Sequence, residues 1–227
     1  MKLIFKLLLS LVLLFLATQA YFFIQICWWI NHNPDSTSFM RHQLAIIHEK
    51  QPNAVLQQQW VPYSQISNQL KRAIIASEDA NFTEHDGIDW NAMEKAFEKN
   101  TRKGHIVAGG STITQQLAKN LFLSGQRSYF RKGEEFLITF MLEAVMSKER
   151  IFEIYLNVVE WGNGVYGAQA AARHYFGIPA ASLNTSQAAR LAVMLPNPRF
   201  FDAVRGSAYL QKRSDLIQRR MNSSTLP

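Results

Sequence analysis

At residues 109–122 the chain reads GGSTITQQLAKNLF, and this stretch decides the class of fold. Two glycines break the preceding segment, and Thr112 with Gln115 then forms the pattern of a helix capping box. Apolar residues follow at every fourth position, which is helical spacing: Ile113, Leu117 and Leu121. The stretch therefore predicts a helix with one apolar face toward a core and a polar face opposite.

Helical periodicity continues on both sides of this stretch. From Gln65 onward, apolar positions recur with the spacing of a buried stripe, and Glu78 lies at the far end of that predicted helix. Gly177 and Pro196 end two later helical patterns. Further helices are predicted over residues 134–145, 148–157, 166–176 and 185–195. Because no convincing run of alternating residues predicts strands, the fold class is mostly α.

The first residues of the chain form a long apolar run, from Leu3 to Ile30. A bilayer needs about 20 apolar residues in a helix that crosses it, so this run is long enough. Lysines lie at its leading end and a Trp pair at its far end. The positive-inside rule and the aromatic belt place the N-terminus in the cytoplasm and the rest of the chain outside.

A cleaved signal peptide is the alternative interpretation of this run, because Thr18-Gln19-Ala20 resembles a small-residue cleavage site. The apolar character continues from Tyr21 to Ile30, which a cleaved leader does not need. We therefore predict a retained single-pass anchor at residues 1–30, a juxtamembrane linker at 31–59 and a folded domain at 60–227.

The formal charge of +7 at pH 7 favours an anionic partner, which can be nucleic acid, acidic lipid or a phosphate-bearing substrate. Nucleic acid is disfavoured, because the basic residues are dispersed and the domain is predicted to lie outside the membrane. The one cysteine, Cys27, excludes an intramolecular disulfide and a thiolate cluster for zinc.

Residues 78–87 place several carboxylates, one histidine and a glycine in a short segment. Such a segment can hold a general base. By itself it is more typical of a solvated acidic turn in which His85 makes a local hydrogen bond. The segment gains weight only together with the other motifs of the chain.

Those motifs occur in one order along the chain: Glu78-Asp79, Phe82, His85-Asp86-Gly87, residues 109–120, Arg131-Lys132, Glu135, Lys148-Glu149-Arg150-Ile151, Glu153, Tyr155-Leu156-Asn157, Gly162, Ala189-Arg190-Leu191-Ala192 and Pro196-Asn197-Pro198. With this set the chain resembles the peptidoglycan glycosyltransferases, whose domain also occurs in bifunctional penicillin-binding proteins. The resemblance covers about Val61 to Pro198 and implies a lysozyme-like helical domain behind the anchor.

The resemblance implies a reaction and a location. The enzyme would polymerise lipid II onto a lipid-linked growing glycan strand, with inversion at the donor anomeric carbon and release of undecaprenyl pyrophosphate. It would act on the outer, periplasmic face of the bacterial cytoplasmic (inner) membrane, where cell-wall synthesis proteins are candidate partners. The Pro-Asn-Pro form resembles the monofunctional branch. The sequence contains no Ser-x-x-Lys or Lys-Thr-Gly element, so we expect no transpeptidase activity.

The resemblance also implies the catalytic residues. Glu78 matches the general base, and the end of its helix is predicted to raise its pKa. Glu135 matches a second carboxylate that orients cationic residues or holds a divalent metal, Mg²⁺ or Mn²⁺; no organic cofactor is expected. Adjacent helical residues point about 100° apart, so Glu135 and not Glu134 is predicted to face the cleft.

The remaining site residues are predicted to bind substrate. Lys119, Arg131 and Lys132 match the cations that face the pyrophosphate. The polar or aromatic residues that match other motif positions are Asp79, Phe82, His85, Ser111, Thr112, Gln116 and Asn120. For Ser111 and Thr112, capping of the helix is an alternative or additional role.

Two other functions remain open from the sequence. A lytic glycosidase can have the same fold and use catalytic glutamates on the same polymer, although cations arranged for pyrophosphate argue against it. A catalytically silent scaffold that binds cell-wall proteins is the other.

Overall fold

The computed structural model describes residues 2–105, 107, 109–123 and 128–227, and most of these are helical. The α-helices are α1 Lys2–Trp29, α2 Ser38–His48, α3 Asn68–Glu78, α4 Trp90–Lys103, α5 Ile113–Phe122, α6 Tyr129–Val145, α7 Lys148–Val158, α8 Ala168–Phe176, α9 Thr185–Met194, α10 Pro198–Ala203 and α11 Ala208–Arg220. Short strands are β1 Gln57–Gln58, β2 Glu160–Gly162 and β3 Val165–Tyr166. The prediction of a mostly α fold is confirmed.

The strands form a small sheet in the order β1-β3-β2. β1 pairs with β3 in parallel, with Gln57 opposite Val165, and β2 pairs with β3 antiparallel. Strands of two or three residues are too short to show an alternating pattern, which is why the sequence did not indicate them. Tyr166 belongs to β3, so α8 begins at Ala168 and not at 166 as predicted.

The core lies where α3, α9 and α11 pack together and where α5 packs on α6 and α7. Its largest buried side chains include Trp161, Tyr155, Tyr166 and Phe152. Several buried polar groups within it are paired, which offsets the cost of their desolvation. The indole of Trp161, for example, donates to the Leu191 carbonyl at 3.1 Å.

The predicted capping box of α5 is confirmed. The Thr112 hydroxyl accepts from the Gln115 amide at 3.2 Å, and the Gln115 side chain accepts from the Thr112 amide at 2.9 Å. The apolar face of the helix, with Ile113, Leu117 and Leu121, is buried. The helix with Glu78 at its end is also present, although α3 begins at Asn68 and not at 65, because residues 63–65 form a 3-10 turn.

The range that the sequence assigned to a linker, 31–59, contains α2 and β1. Thr37 caps α2 by accepting from the Met40 amide at 3.1 Å, and α2 packs on α5. This part of the chain is therefore structured and contacts the folded domain. Helix α4 was also missed, because Ala96 is its one buried residue and its apolar pattern is weak.

Among the residues that the structure describes, α1 is the helix long and apolar enough to cross a membrane, with a mean hydropathy of 2.3. It fits a single-pass anchor, and its first half is exposed. Its carboxyl-terminal half contacts the domain: Ile26 is fully buried, and the rings of Phe22 and Trp29 lie 4.7 and 5.4 Å from that of Phe122.

Arg150 of α7 joins the end of the anchor to the domain. Its guanidinium donates to the Trp29 carbonyl at 3.0 Å, to the His32 carbonyl at 2.5 Å and to the Asn33 side chain at 2.9 Å. Carbonyls at a helix end lack intrahelical partners, so this side chain satisfies groups that would otherwise need water. Helix α1 and the folded domain are thus held together by packing and by hydrogen bonds.

Candidate active site

A cavity of about 170 Å³ lies between the end of α3, the beginning of α4 and the paired glycines. It is lined by residues 76–81, 89, 92 and 109–112, and Glu78 and Ser111 are among them. Gly110 permits this arrangement, since a Cβ there would lie 2.9 Å from the Met93 Cα of α4. Gly110 therefore allows α4 to approach and form one wall of the cavity.

A second cavity of about 230 Å³ adjoins the first. Gly110 and Ser111 line both cavities, and Lys132 lines the second. The Lys132 ammonium lies 3.3 Å from the Ser111 hydroxyl. We refer to these two adjoining cavities together as the groove; Glu78 lines one of them, and Lys132 lines the other.

Neutral donors surround the carboxylate of Glu78. It accepts from the Gln116 side-chain amide at 2.9 Å and from the Ser77 hydroxyl at 3.3 Å. Burial raises the pKa of Glu78; the hydrogen bonds from Gln116 and Ser77 lower it, Asp79 raises it, and Lys119 lowers it. The predicted direction is present, but its leading cause is burial and not the end of the helix.

Tyr155 belongs to this site, although the sequence analysis assigned it no role in the site. It is fully buried, and its hydroxyl donates to the Gln116 side-chain carbonyl at 3.0 Å. Burial, followed by the charges of Glu78 and Asp79, raises the Tyr155 pKa well above its usual range, so the phenol remains a donor. This bond fixes the Gln116 amide with its NH₂ group toward Glu78. The Tyr-Leu-Asn motif was the sequence signal that could have indicated this role.

Asp79 and His85 lie at the groove but bind each other. One oxygen of Asp79 is 2.9 Å from His85 Nε2, and the other accepts from the Ile113 amide at 3.0 Å. Asp79 therefore anchors the first turn of α5, where a carboxylate is favoured by the helix dipole. Both oxygens are committed within the protein.

Three residues predicted to bind substrate are placed in the interior. Phe82 has no exposed surface and packs on Phe152, with ring centroids 5.5 Å apart. Thr112 is 3% exposed, and its hydroxyl donates to the Gly87 carbonyl at 2.6 Å. Asn120 is 5% exposed. Their side chains are largely covered in this structure, although Thr112 also borders the cavity, and substrate binding by these three residues stays a prediction.

The other end of the groove is built on α6. Glu135 is buried, and its carboxylate contacts the Lys132 ammonium and lies 3.5 Å from the Arg131 guanidinium. These pairs are one helical turn apart, the separation at which side chains on a helix meet. The choice of Glu135 over the adjacent Glu134 agrees with this placement, because Glu135 is the more buried and is the one paired with the cations.

Two cations at the groove are placed to meet an anion. The Arg131 Nε atom is buried and has no hydrogen-bond partner within the described part of the chain. A buried donor without a partner is costly, and a phosphate oxygen would satisfy it. Lys119 is half-buried on α5, and its charge lowers the pKa of Glu78. Lys119 therefore lies near Glu78, and Arg131 and Lys132 lie near Glu135.

The donor set at Glu135 does not fit a resident divalent metal. Hard cations such as Mg²⁺ take several oxygen ligands, whereas this carboxylate lies between two cations. Asp79, His85 and Asp89 present ligand atoms within 4.8 Å of one another. Asp89, however, accepts from the Ala92 amide at 2.8 Å and from Asn81 at 2.9 Å, so this cluster is committed to capping and turns.

The sequence model of the family described as Transglycosylase matches residues 45–222. The chain therefore belongs to the transglycosylase family, whose domain is lysozyme-like.

Relatives define the branch of the family more closely. The biosynthetic peptidoglycan transglycosylase of Janthinobacterium sp. (strain Marseille) is 69% identical over 226 residues, which cover 100% of this chain and 98% of the relative. That of Herminiimonas arsenicoxydans is 70% identical with the same coverage, and that of Methylobacillus flagellatus is 57% identical over 97% of this chain and 96% of the relative. The predicted class, a peptidoglycan glycosyltransferase, is confirmed, and the chain is an enzyme.

Proposed function

We propose that this enzyme joins lipid II to a lipid-linked glycan strand, with inversion at the donor anomeric carbon and release of undecaprenyl pyrophosphate. The observation that carries the proposal is the division of one groove between a carboxylate held by neutral donors and a set of cations. Transfer of a sugar to a poor nucleophile needs a base, and departure of a pyrophosphate needs positive charge.

Glu78 is the proposed base. Its carboxylate takes the proton of the acceptor 4-hydroxyl while that oxygen bonds to the donor anomeric carbon from the face opposite the leaving group. The bond between this carbon and the pyrophosphate oxygen breaks, and its electron pair leaves with undecaprenyl pyrophosphate. A raised pKa suits the role, because a base works best when its pKa is near the working pH.

Arg131 and Lys132 are proposed to receive the pyrophosphate, with Lys119 nearer the reacting carbon. A guanidinium can grip two phosphate oxygens, and an ammonium supplies a point charge. Glu135 holds the first two on one side of α6, which keeps them from turning to solvent. Because its donor set is poor for a metal, we assign Glu135 to positioning and derive no metal-dependent step.

Hydrolysis of the same polymer is less well supported. A glycosidase needs a second carboxylic acid that protonates the leaving oxygen. Glu135 is poorly suited to this task, because a protonated side chain would lose both of its ion pairs.

The absence of Ser-x-x-Lys and Lys-Thr-Gly elements from the sequence supports a further proposal, that the chain has no transpeptidase activity.

The proposed location is the cytoplasmic membrane of a bacterium, with the N-terminus in the cytoplasm and the domain on the outer face. Lys2 and Lys6 at the leading end of α1, and Trp28 and Trp29 at its far end, support this orientation. The groove would then lie beside the leaflet that carries both lipid-linked substrates.

The test is incubation of the full-length protein with lipid II in vesicles, with and without a chelator. We expect glycan polymer, an equimolar amount of undecaprenyl pyrophosphate for each bond formed, and β linkages by NMR from an α-linked donor. Purified peptidoglycan should not be shortened. Shortened strands, or polymer made equally well by Glu78→Gln, would contradict the proposal. Loss of polymer formation only when the chelator is present would show that the reaction requires a metal ion.

A further inference from the structure

A cavity of about 510 Å³ lies away from the catalytic groove, between the carboxyl-terminal half of α1 and the segment that leads into α2. Aromatic, polar and charged side chains line it together: Tyr21, Ile24, Gln25, Trp28, Trp29, Asn33, Asp35, Ser36 and Arg41. The mechanism proposed above uses none of these residues. The cavity therefore needs an explanation of its own.

The position of the cavity along α1 sets its depth in the membrane. It lies beside Trp28 and Trp29 at the end of an apolar span, and this is the level at which aromatic side chains meet lipid headgroups. The surface of α1 that precedes it is apolar and exposed, which suits contact with acyl chains. A molecule in this cavity would have its polar part among the headgroups and its apolar part along α1.

Opposite charges share this cavity without pairing. Asp35 and Arg41 are both exposed, and they form no ion pair with each other among the ion pairs of the described residues. Arg41 donates to the Ser36 carbonyl at 3.2 Å through one terminal nitrogen, which leaves the remainder of its guanidinium facing the cavity. A ligand with a separated anion and cation would complement both side chains.

We propose that this cavity binds the headgroup of a phospholipid that carries a primary ammonium, as in phosphatidylethanolamine. The phosphate binds the Arg41 guanidinium, and the ammonium binds the Asp35 carboxylate beside the Trp28 ring. The acyl chains follow α1. The lipid fills the space between anchor and domain and thereby fixes the height of the domain above the bilayer, in addition to the contacts of Arg150.

The two charges together select the headgroup. Phosphatidylglycerol would satisfy Arg41, but its hydroxyls would donate to the Asp35 carboxylate without the positive charge that strengthens the bond from an ammonium. A choline headgroup has a bulky quaternary ammonium that cannot donate hydrogen bonds to Asp35. Specificity should therefore depend on Asp35, whereas binding of any phospholipid should depend on Arg41.

The test is native mass spectrometry of the full-length protein in detergent, with phosphatidylethanolamine, phosphatidylglycerol and phosphatidylcholine of matched acyl chains. We expect one retained phosphatidylethanolamine per chain, favoured about tenfold over phosphatidylglycerol. Arg41→Ala should weaken retention of every phospholipid about tenfold or more. Asp35→Asn should abolish the preference for phosphatidylethanolamine and keep phosphatidylglycerol bound.

Matched controls are Lys50→Ala and Glu49→Gln, which change exposed charges at the end of α2 outside the cavity and should leave retention unchanged. If Arg41→Ala does not fold, the preference of Asp35→Asn between phosphatidylethanolamine and phosphatidylglycerol tests the proposal. Equal retention by wild type and Arg41→Ala, or an unchanged preference in Asp35→Asn, would overturn the proposal. So would stoichiometric displacement of the phospholipid by lipid II, which would assign the cavity to the substrate.

Discussion

Two glutamates lie at opposite ends of the proposed catalytic groove, and their carboxylates have opposite surroundings. Glu78 accepts hydrogen bonds from an amide and a hydroxyl, and burial raises its pKa. Glu135 contacts an ammonium and a guanidinium. The same side chain is thus prepared to take up a proton at one end and to hold cations at the other. The difference teaches that hydrogen-bond partners, and not residue type, assign the roles.

The two surroundings also differ in how the chain builds them. The partners of Glu135 lie three and four residues before it on α6, so one helix suffices. Glu78 accepts from Gln116 of α5, which is 38 residues away along the chain, and Gln116 in turn accepts from Tyr155 of α7, a further 39 residues away. The proton-accepting end therefore depends on tertiary packing, whereas the cationic end depends on local structure.

Replacement of the base should have the largest effect. For Glu78→Gln we expect polymerisation of lipid II to fall about 10²–10⁴-fold, the usual contribution of a general base. Initial rates of polymer formation measure this. Circular dichroism and thermal unfolding should match the wild type, since the amide can keep its contact with Gln116 by a flip. A rate within a few-fold of the wild type would assign the base elsewhere.

The next largest effect is expected at the cationic end. Glu135→Gln should leave Arg131 and Lys132 without their counter-charge, and we expect a rate loss of about 10–100-fold with an unfolding free energy lower by about 2 kcal/mol. Glu134→Gln is the matched control on the adjacent position and should change either quantity little. Equal effects of the two substitutions would show that general charge, and not the pairing, matters.

The pH dependence of the rate should separate the two ends. Activity requires the deprotonated form of Glu78, so the rate should fall as the pH falls through its raised pKa. Gln116→Leu removes a hydrogen bond that lowers this pKa, so the acidic limb should move to higher pH. Glu135→Gln should lower the rate without moving that limb. A limb that stays in place in Gln116→Leu would argue that Glu78 does not control the profile.

Protein stability should follow the same linkage. Because the folded-state pKa of Glu78 is raised, the folded protein binds the proton more tightly than the unfolded chain does. This contribution is fully present below the unfolded pKa and is lost as the pH rises through the folded pKa. The contribution of Glu78 to the unfolding free energy of the wild type should therefore decrease as the pH rises through this window, and Glu78→Gln should lack this decrease. Denaturant unfolding of both proteins at several pH values measures the difference.

The smallest effect is expected at the end of the hydrogen-bond chain. Tyr155→Phe keeps the buried ring and removes the hydroxyl that orients the Gln116 amide. We expect a rate loss of about three- to tenfold and about 1 kcal/mol less stability, the value of one hydrogen bond. Steady-state rates and thermal unfolding measure both. Phe152 needs no such partner, so Phe152→Leu should affect stability and leave the pH profile in place.

Much of the site was predictable because its signals are local. The capping box of Thr112 and Gln115 involves residues three apart, and it predicted where α5 begins. Glu78 was predicted at the end of its helix from the spacing of apolar residues before it. The packing of Phe82 was not predictable, because a motif position does not reveal whether a ring faces the groove or Phe152. Helix α2 was missed for a similar reason, since the spacing of its apolar residues does not indicate that it packs on α5.

The sequence by itself determined the mostly α class, the long apolar N-terminal helix and the cap of α5, and it placed Glu135 within one helical turn of Arg131 and Lys132. Only the tertiary structure decided that Tyr155 orients Gln116 toward Glu78, that burial raises the pKa of Glu78, and that Arg150 joins the anchor to the domain. The physical reason is the separation along the chain between the residues that interact. Periodicity, capping and ion pairs within one helix involve residues up to four positions apart, whereas burial and hydrogen bonds between helices exist only after the helices have packed.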